Sequence, residues 1–206
     1  MNRGIFIVFE GIDGAGKSTQ AKLLAQRLEG LGRRVVMTAE PTDLPSGREL
    51  RRVLKGESKK SDCEIAAMFT LDRIAHNVDS AAGIEKMLGE GICVICDRYY
   101  YSTLAYQGSL TDYDWVKALN TKCPEIRHPD ICIFLDLSPS ESMKRINAGR
   151  ESTEIYENEE TLGIVRDTFM KVIDDMRAID KIEVVDASGE IAEISEKIFE
   201  AVKSVF

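Results

Sequence analysis

The sequence lacks any apolar run approaching the roughly 18 residues of a membrane span, so no membrane association is expected. It also lacks an excess of positive charge. Lys and Arg number 27 against 35 Asp and Glu, giving a net charge of −8, which argues against a nucleic-acid partner. The chain enters an apolar run at Ile5, leaving no room before it for a signal sequence. Its five cysteines are odd in number and lack disulfide-framework spacing, so a reducing cytoplasm is the expected location. Cys93 and Cys96 have CxxC spacing, yet no second Cys/His pair is placed to complete a metal shell. They lie in an apolar run, Ile92 to Cys96, that reads as a buried strand with the two thiols on opposite faces. What remains is an ordinary globular composition, 44% apolar and 30% charged, and 206 residues suit one α/β domain with a sizeable core.

The most informative stretch is Phe9-Glu10-Gly11-Ile12-Asp13-Gly14-Ala15-Gly16-Lys17-Ser18-Thr19. It follows the apolar run Ile5 to Phe9 and precedes a helical pattern, so it occupies a strand-to-helix turn. The spacing from Gly11 to Gly16-Lys17-Ser18 is that of a phosphate-binding loop. Glycines at 11, 14 and 16 let successive N–H groups curl around phosphate oxygens, and the helix that follows adds its positive end. Lys17 is then placed to bridge the β- and γ-phosphates of a nucleotide, and the Ser18 hydroxyl to ligate Mg²⁺.

Periodicity predicts a helix from Gln20 to Leu31, stopped by Gly32, and a second buried strand from Arg34 to Thr38. Strand, helix and strand at this spacing form a βαβ unit and imply a parallel sheet. Helices are expected over 46–55, within 61–88, and over 101–106 and 113–120, with further strands at 92–96, 130–135 and 182–185. Ser138-Pro139 opens a helix to about Ile146. The polar stretch 147–159 reads as a loop, and helices over 160–176 and 191–205 complete a five-stranded, doubly wound domain.

Candidate acceptor-side residues lie at three places. Asp97-Arg98-Tyr99 ends the third strand, where the carboxyl ends of parallel strands border the binding crevice. There Asp97 is placed to hold Mg²⁺ through water, and Arg98 to face phosphates. Phe69 and Arg73 are four residues apart and share a helix face, pairing a flat ring with a planar donor fork that suits a nucleobase. Arg48, Arg51, Arg52 and Lys55 form a basic stripe, of which Arg51 is expected to face the site.

Taken together these residues resemble the thymidylate kinase family of P-loop nucleoside-monophosphate kinases. The resemblance rests on the phosphate loop, Glu40-Pro41, Phe69 with Arg73, Asp97-Arg98-Tyr99-Tyr100-Tyr101-Ser102 and Ala105-Tyr106-Gln107-Gly108. Ile133-Phe134-Leu135-Asp136, Tyr156-Glu157-Asn158 and Val185-Asp186-Ala187-Ser188 are weaker matches in the expected order. It implies a P-loop NTPase fold: one domain over 1–206, a five-stranded parallel sheet with helices on both faces, a lid near 147–159, and an acceptor-binding helical region near 41–80. It implies ATP-dependent conversion of dTMP to dTDP with Mg²⁺, in a homodimer. ATP would contact Gly11, Ile12, Asp13, Gly14, Ala15, Gly16, Lys17, Ser18 and Thr19, with Arg145 along the adenine. The resemblance places Asp13, Arg51 and Arg98 at the acceptor sugar and phosphate. It places Phe69 and Arg73 at thymine, Ser102, Thr103 and Gln107 near the base, and Tyr106 against the deoxyribose.

Two departures matter. One branch of the family carries an arginine where this sequence has Gly14, and the other supplies arginines from the lid. Here the lid holds one arginine, Arg150, which is the expected source of charge; Arg166 is the weaker alternative. Ala39 replaces an arginine common before Glu40-Pro41. The competing readings are a kinase for another nucleoside or nucleotide, and a non-catalytic nucleotide sensor.

Overall fold

The computed structural model describes residues 3–149 and 159–206. Strands β1 (Phe6–Glu10), β2 (Val35–Ala39), β3 (Cys93–Asp97), β4 (Ile131–Asp136) and β5 (Ile182–Asp186) form one sheet in the order β2-β3-β1-β4-β5. Every neighbouring pair is parallel, with Phe6 opposite Val94 and Ile7 opposite Ile131 in register. The order reverses at β1, with β2 and β3 to one side and β4 and β5 to the other. Such a switch point leaves a crevice at the carboxyl ends of the strands, which is where these sheets hold ligands.

The central strand explains why the sheet is covered on both sides. All five residues of β1 are buried, and successive side chains point to opposite faces, so helices must pack on each. Helix α1 (Lys17–Gly30) packs beside α9 (Ile191–Lys203), and α5 (Tyr100–Tyr106) packs on α8 (Glu159–Met176). The remaining helices are α2 (Pro45–Leu54), α3 (Asp62–Val78), α4 (Ile84–Gly89), α6 (Tyr113–Thr121) and α7 (Pro139–Gly149).

Two sequence expectations are corrected, at β2 and after α7. β2 was expected to be buried, but it is an edge strand whose residues are partly exposed, with Met37 42% accessible. Its apolar composition resembles that of a central strand because one face still packs on the core. The helical region expected within 61–88 consists of two helices, α3 and α4. Ser61 and Glu64 form a reciprocal capping box at the start of α3. Asp79 ends it by accepting the Ala81 and Ala82 N–H groups. The stretch expected as a loop from 147 is helical through Gly149, so α7 runs three residues further than its apolar period indicated.

A polar knot is buried away from the phosphate loop. Asp180 accepts hydrogen bonds from the Tyr100 and Tyr101 hydroxyls at 2.6 and 2.8 Å, and lies 2.7 Å from His128 Nδ1.

Candidate active site

The turn between β1 and α1 requires its glycines. Gly11 has φ 142°, and a Cβ there would come within 2.6 Å of the Leu135 carbonyl oxygen. Gly14 has φ 77°, and its Cβ would meet both the carbonyl oxygen and Oγ of Ser142 at 2.9 Å. Helix α7 therefore seats directly against the loop, and Ser142 Oγ also donates to the Asp13 carbonyl. Gly16, at φ 94°, precedes α1 without a capping side chain, so the first N–H groups of that helix remain available to an anion.

Around this turn lies a cleft of about 750 Å³, lined by residues 13–20 together with Ala39, Glu40, Asp97, Arg98, Arg145, Ile146, Ile191 and Ile194. Lys17 is buried at its floor, donating to the Gly11 and Ile12 carbonyls at 3.0 and 3.1 Å and lying 3.8 Å from Asp13. Burial, helped by the nearby Arg98 charge, lowers its pKa to about 8. Ser18 Oγ donates to Asp97 Oδ2 at 2.9 Å, while Asp97 Oδ1 is buried with no hydrogen-bond partner among the described residues. A hard cation fits here: the hydroxyl and the unpaired carboxylate oxygen are both suitable ligands, direct or through water.

Arg98 faces this loop from the end of β3. Its backbone is left-handed, φ 69°, a region that costs a non-glycine residue roughly 1 kcal/mol or more. Its guanidinium donates to Asp13 Oδ1 at 2.5 Å and to Ser102 Oγ at 3.1 Å, and lies 5.9 Å from the centre of the Tyr106 ring. Burial works against the Arg98 charge, but the Tyr106 phenol, Asp13, Glu10 and Asp97 outweigh it and push its pKa up.

The expected base-side residues lie apart from the walls of that cleft. Arg73 is fully buried, and its fork is taken by protein acceptors. Nε donates to Glu40 at 2.8 Å, Nη1 to Asn120 at 2.5 Å and Nη2 to Thr103 at 3.1 Å. Glu40 is also 3.0 Å from His76 Nδ1. Phe69, one turn earlier on α3, is half-buried. Ser102 Oγ donates to Glu10, whereas Tyr106 is partly buried and packs edge-on against Phe169. Gln107 follows the last turn of α5. Arg51 binds the loop before α2, donating to the Pro41 carbonyl at 3.0 Å and to Asp43 at 2.9 Å. That loop is anchored in turn by buried Asp72, which accepts from the Thr42 N–H and from the Thr42 and Ser46 hydroxyls.

Arg150, the expected lid arginine, lies outside the described residues, as does most of the expected lid. Arg166 is engaged by Asp136 in two parallel bonds of 2.7 and 2.8 Å. Arg145 reaches across to the Ala187 carbonyl at 2.8 Å, joining the α7 side of the cleft to the loop after β5.

A family model described as thymidylate kinase matches residues 9–198, from this loop through the Arg98 turn and into the closing helix. The chain belongs to the thymidylate kinase family. A probable thymidylate kinase of Pyrococcus horikoshii is 38% identical over 98% of this chain and 97% of its own length. One of Methanococcus aeolicus is 42% identical over 82% of this chain and 80% of its own. A thymidylate kinase of Desulfotalea psychrophila is 38% identical over 82% and 81%.

Within this member of the thymidylate kinase family, several residues escaped sequence reasoning. Glu10, Asp72, Asn120 and Ser142 are buried polar groups that each bond a partner 26 to 129 residues away, beyond any local period. Only Glu10 carried a readable signal. A carboxylate closing an otherwise apolar central strand must find partners or be costly to bury.

Proposed function

We propose that the chain transfers the γ-phosphoryl group of ATP to the 5′-phosphate of dTMP, releasing ADP and dTDP. The observation that carries this reading is the convergence of Lys17, the Ser18–Asp97 pair and Arg98, itself paired with Asp13, on one cleft. The phosphate loop suits a polyphosphate, and Arg98 beside it suits an anionic acceptor. A phosphate oxygen of dTMP attacks the γ-phosphorus, and the bond to the β–γ bridging oxygen breaks, leaving its electron pair on ADP. Lys17 holds the donor phosphates, while Arg98 and Arg51 orient the acceptor phosphate, which is already ionised at neutral pH. Bound Mg²⁺ supplies charge neutralisation on the β- and γ-phosphoryl oxygens; Ser18 and Asp97 are the residues that would hold it. Because such transition states are loose, positioning and electrostatics supply the rate rather than a covalent intermediate.

The base-side reading keeps Phe69 stacked on thymine, with Arg73, Ser102, Thr103 and Gln107 at its edge and Tyr106 against the deoxyribose. The burial of Arg73 against Glu40 supports a fixed rather than a mobile donor. Arg145 lies along the adenine, and Arg150 supplies lid charge to the transferring group. Arg150→Ala should lower kcat far more than dTMP affinity; loss of affinity alone would move that role elsewhere. A homodimer and a cytoplasmic location complete the proposal. The exposed Leu71 and Val78 on α3 support the first, and five free thiols the second.

An acceptor panel of dTMP, dUMP, UMP, CMP, AMP and thymidine with Mg-ATP tests the assignment, and dTMP should give the highest kcat/KM. A non-catalytic sensor is the second reading. It is favoured by the crowding at Gly14, which leaves no room for a loop arginine, together with a single arginine in the lid segment. That reading predicts nucleotide binding without dTMP-dependent ADP release.

A further inference from the structure

Glu10 is the last residue of the central strand and is fully buried. Its oxygens reach no substrate-facing surface, yet every partner they have belongs to the segment that carries Arg98. Oε1 accepts the Tyr99 N–H at 2.8 Å and the Ser102 N–H at 3.1 Å, and Oε2 accepts the Ser102 hydroxyl at 2.7 Å. That hydroxyl accepts from Arg98 Nη1 at 3.1 Å, so a continuous relay runs from the guanidinium through Ser102 to the carboxylate. The Arg98 N–H also bonds the Phe9 carbonyl at 2.9 Å, one residue before Glu10. The strand end thus grips the Arg98 turn by backbone and side chain together. Nothing local favours the left-handed backbone of Arg98, so an outside grip is needed to hold it.

We propose that Glu10 is a positioning residue for the acceptor phosphate: it fixes the left-handed Arg98 turn and, through the Ser102 hydroxyl, aims the Arg98 guanidinium into the cleft. The inference rests on the reading of Arg98 as a phosphate-orienting group. It accounts for why a carboxylate is tolerated in the middle of the core. Burial pushes the Glu10 pKa up, against the pull of Arg98, Ser102, the Tyr99 N–H and Lys17. A carboxyl pKa raised on folding contributes stability below the unfolded value and loses it as pH rises through the folded one. Burying that carboxyl group is a cost to its ionised form, so stability alone does not account for the residue.

Glu10→Gln separates the two roles. The amide oxygen still accepts the Tyr99 and Ser102 N–H groups, and the amide nitrogen donates to Ser102 Oγ. The turn stays bonded, but the charge is lost and the hydroxyl proton that pointed at the carboxylate must turn away. The expected result is a thermal midpoint unchanged or raised, kcat/KM for dTMP lowered about tenfold, and KM for ATP within about twofold of the parent. The deciding comparison is a double-mutant cycle with Arg98→Ala, which alone should lower kcat/KM for dTMP by about a hundredfold. If Glu10 acts through Arg98, adding Glu10→Gln to that variant costs less than about twofold more. Additive losses would overturn the inference, as would a Glu10→Gln enzyme with unchanged dTMP kinetics beside a crippled Arg98→Ala. An Arg98→Ala enzyme of normal kcat/KM would instead overturn the reading of Arg98. Ser102→Ala, which cuts the relay while leaving both charges, gives a second route should Glu10→Gln fail to fold. It should lower kcat/KM for dTMP several-fold more in the parent than beside Arg98→Ala, where only its place near the base is left to lose; an equal loss in both backgrounds counts against the proposal.

Discussion

Glu40→Ala tests whether the Arg73 network is as dry as its geometry. The Glu40 and Arg73 side chains are 3% and 1% exposed. The substitution deletes the acceptor for Nε at 2.8 Å and Nη2 at 2.7 Å, and removes the partner of His76 Nδ1 at 3.0 Å. Arg73 would retain Asn120 and Thr103, two neutral oxygens, around a full buried charge. Breaking such a pair by removing one member costs about 3–5 kcal/mol, because the surviving charge is left uncompensated. For a chain of this length each kcal/mol moves the thermal midpoint by about 2–4 °C, so a fall on the order of 10 °C is expected. Urea unfolding followed by far-ultraviolet circular dichroism measures it, and the midpoint should drop with little change in slope. Lys86→Ala serves as the contrast, since the Lys86–Glu90 pair is exposed on both sides and its loss should leave the midpoint unmoved. A loss below about 1 kcal/mol for Glu40→Ala would refute the reasoning, because it would mean that water replaces the carboxylate without penalty.

Three further outcomes follow from the geometry. ATP affinity, measured by calorimetry, should hold steady below pH 8 and weaken above it, because Lys17 in the unliganded protein loses its charge near that value; a flat profile to pH 9.5 would contradict its role. Gly14→Ala should destabilise the protein by about 1–3 kcal/mol in urea unfolding, since both the positive φ and the Ser142 backbone oppose a Cβ. An unchanged midpoint would mean that α7 lifts off the loop at little cost. His128 has its pKa raised, chiefly by hydrogen bonding to Asp180. A raised histidine contributes stability below its unfolded value near 6.5 that is lost as pH rises through the folded one. Thermal midpoints should therefore fall as pH rises above about 6.5, and His128→Gln should flatten that fall.

The sheet was legible because its signals are local. Ile5 to Phe9 and Ile92 to Cys96 are uninterrupted apolar runs, and the glycine spacing from 11 to 16 marks a turn that few other residues can make. The edge position of β2 was not legible, because strand order is set by crossovers and not by composition. Neither was the break between α3 and α4, where one Asp79 side chain replaces the helix hydrogen bonds. On the site, sequence spacing placed Lys17, Ser18, Asp97 and Arg98 at one crevice, and the structure brings these four to one cleft. Spacing could not foresee that Arg73 spends its fork on Glu40 and Asn120, because those partners come from separate loops and helices. Nor could it foresee Ser142, whose contact with the loop exists only once α7 is packed.

The most direct test of the central claim is product stoichiometry. Purified protein with Mg-ATP and dTMP is followed by anion-exchange chromatography as ADP and dTDP form. One dTDP should appear for each ADP, both should depend on dTMP, and Lys17→Ala should abolish them while retaining the parent's circular dichroism spectrum. ADP formed without dTDP, or turnover that survives the loss of Lys17, would contradict the account.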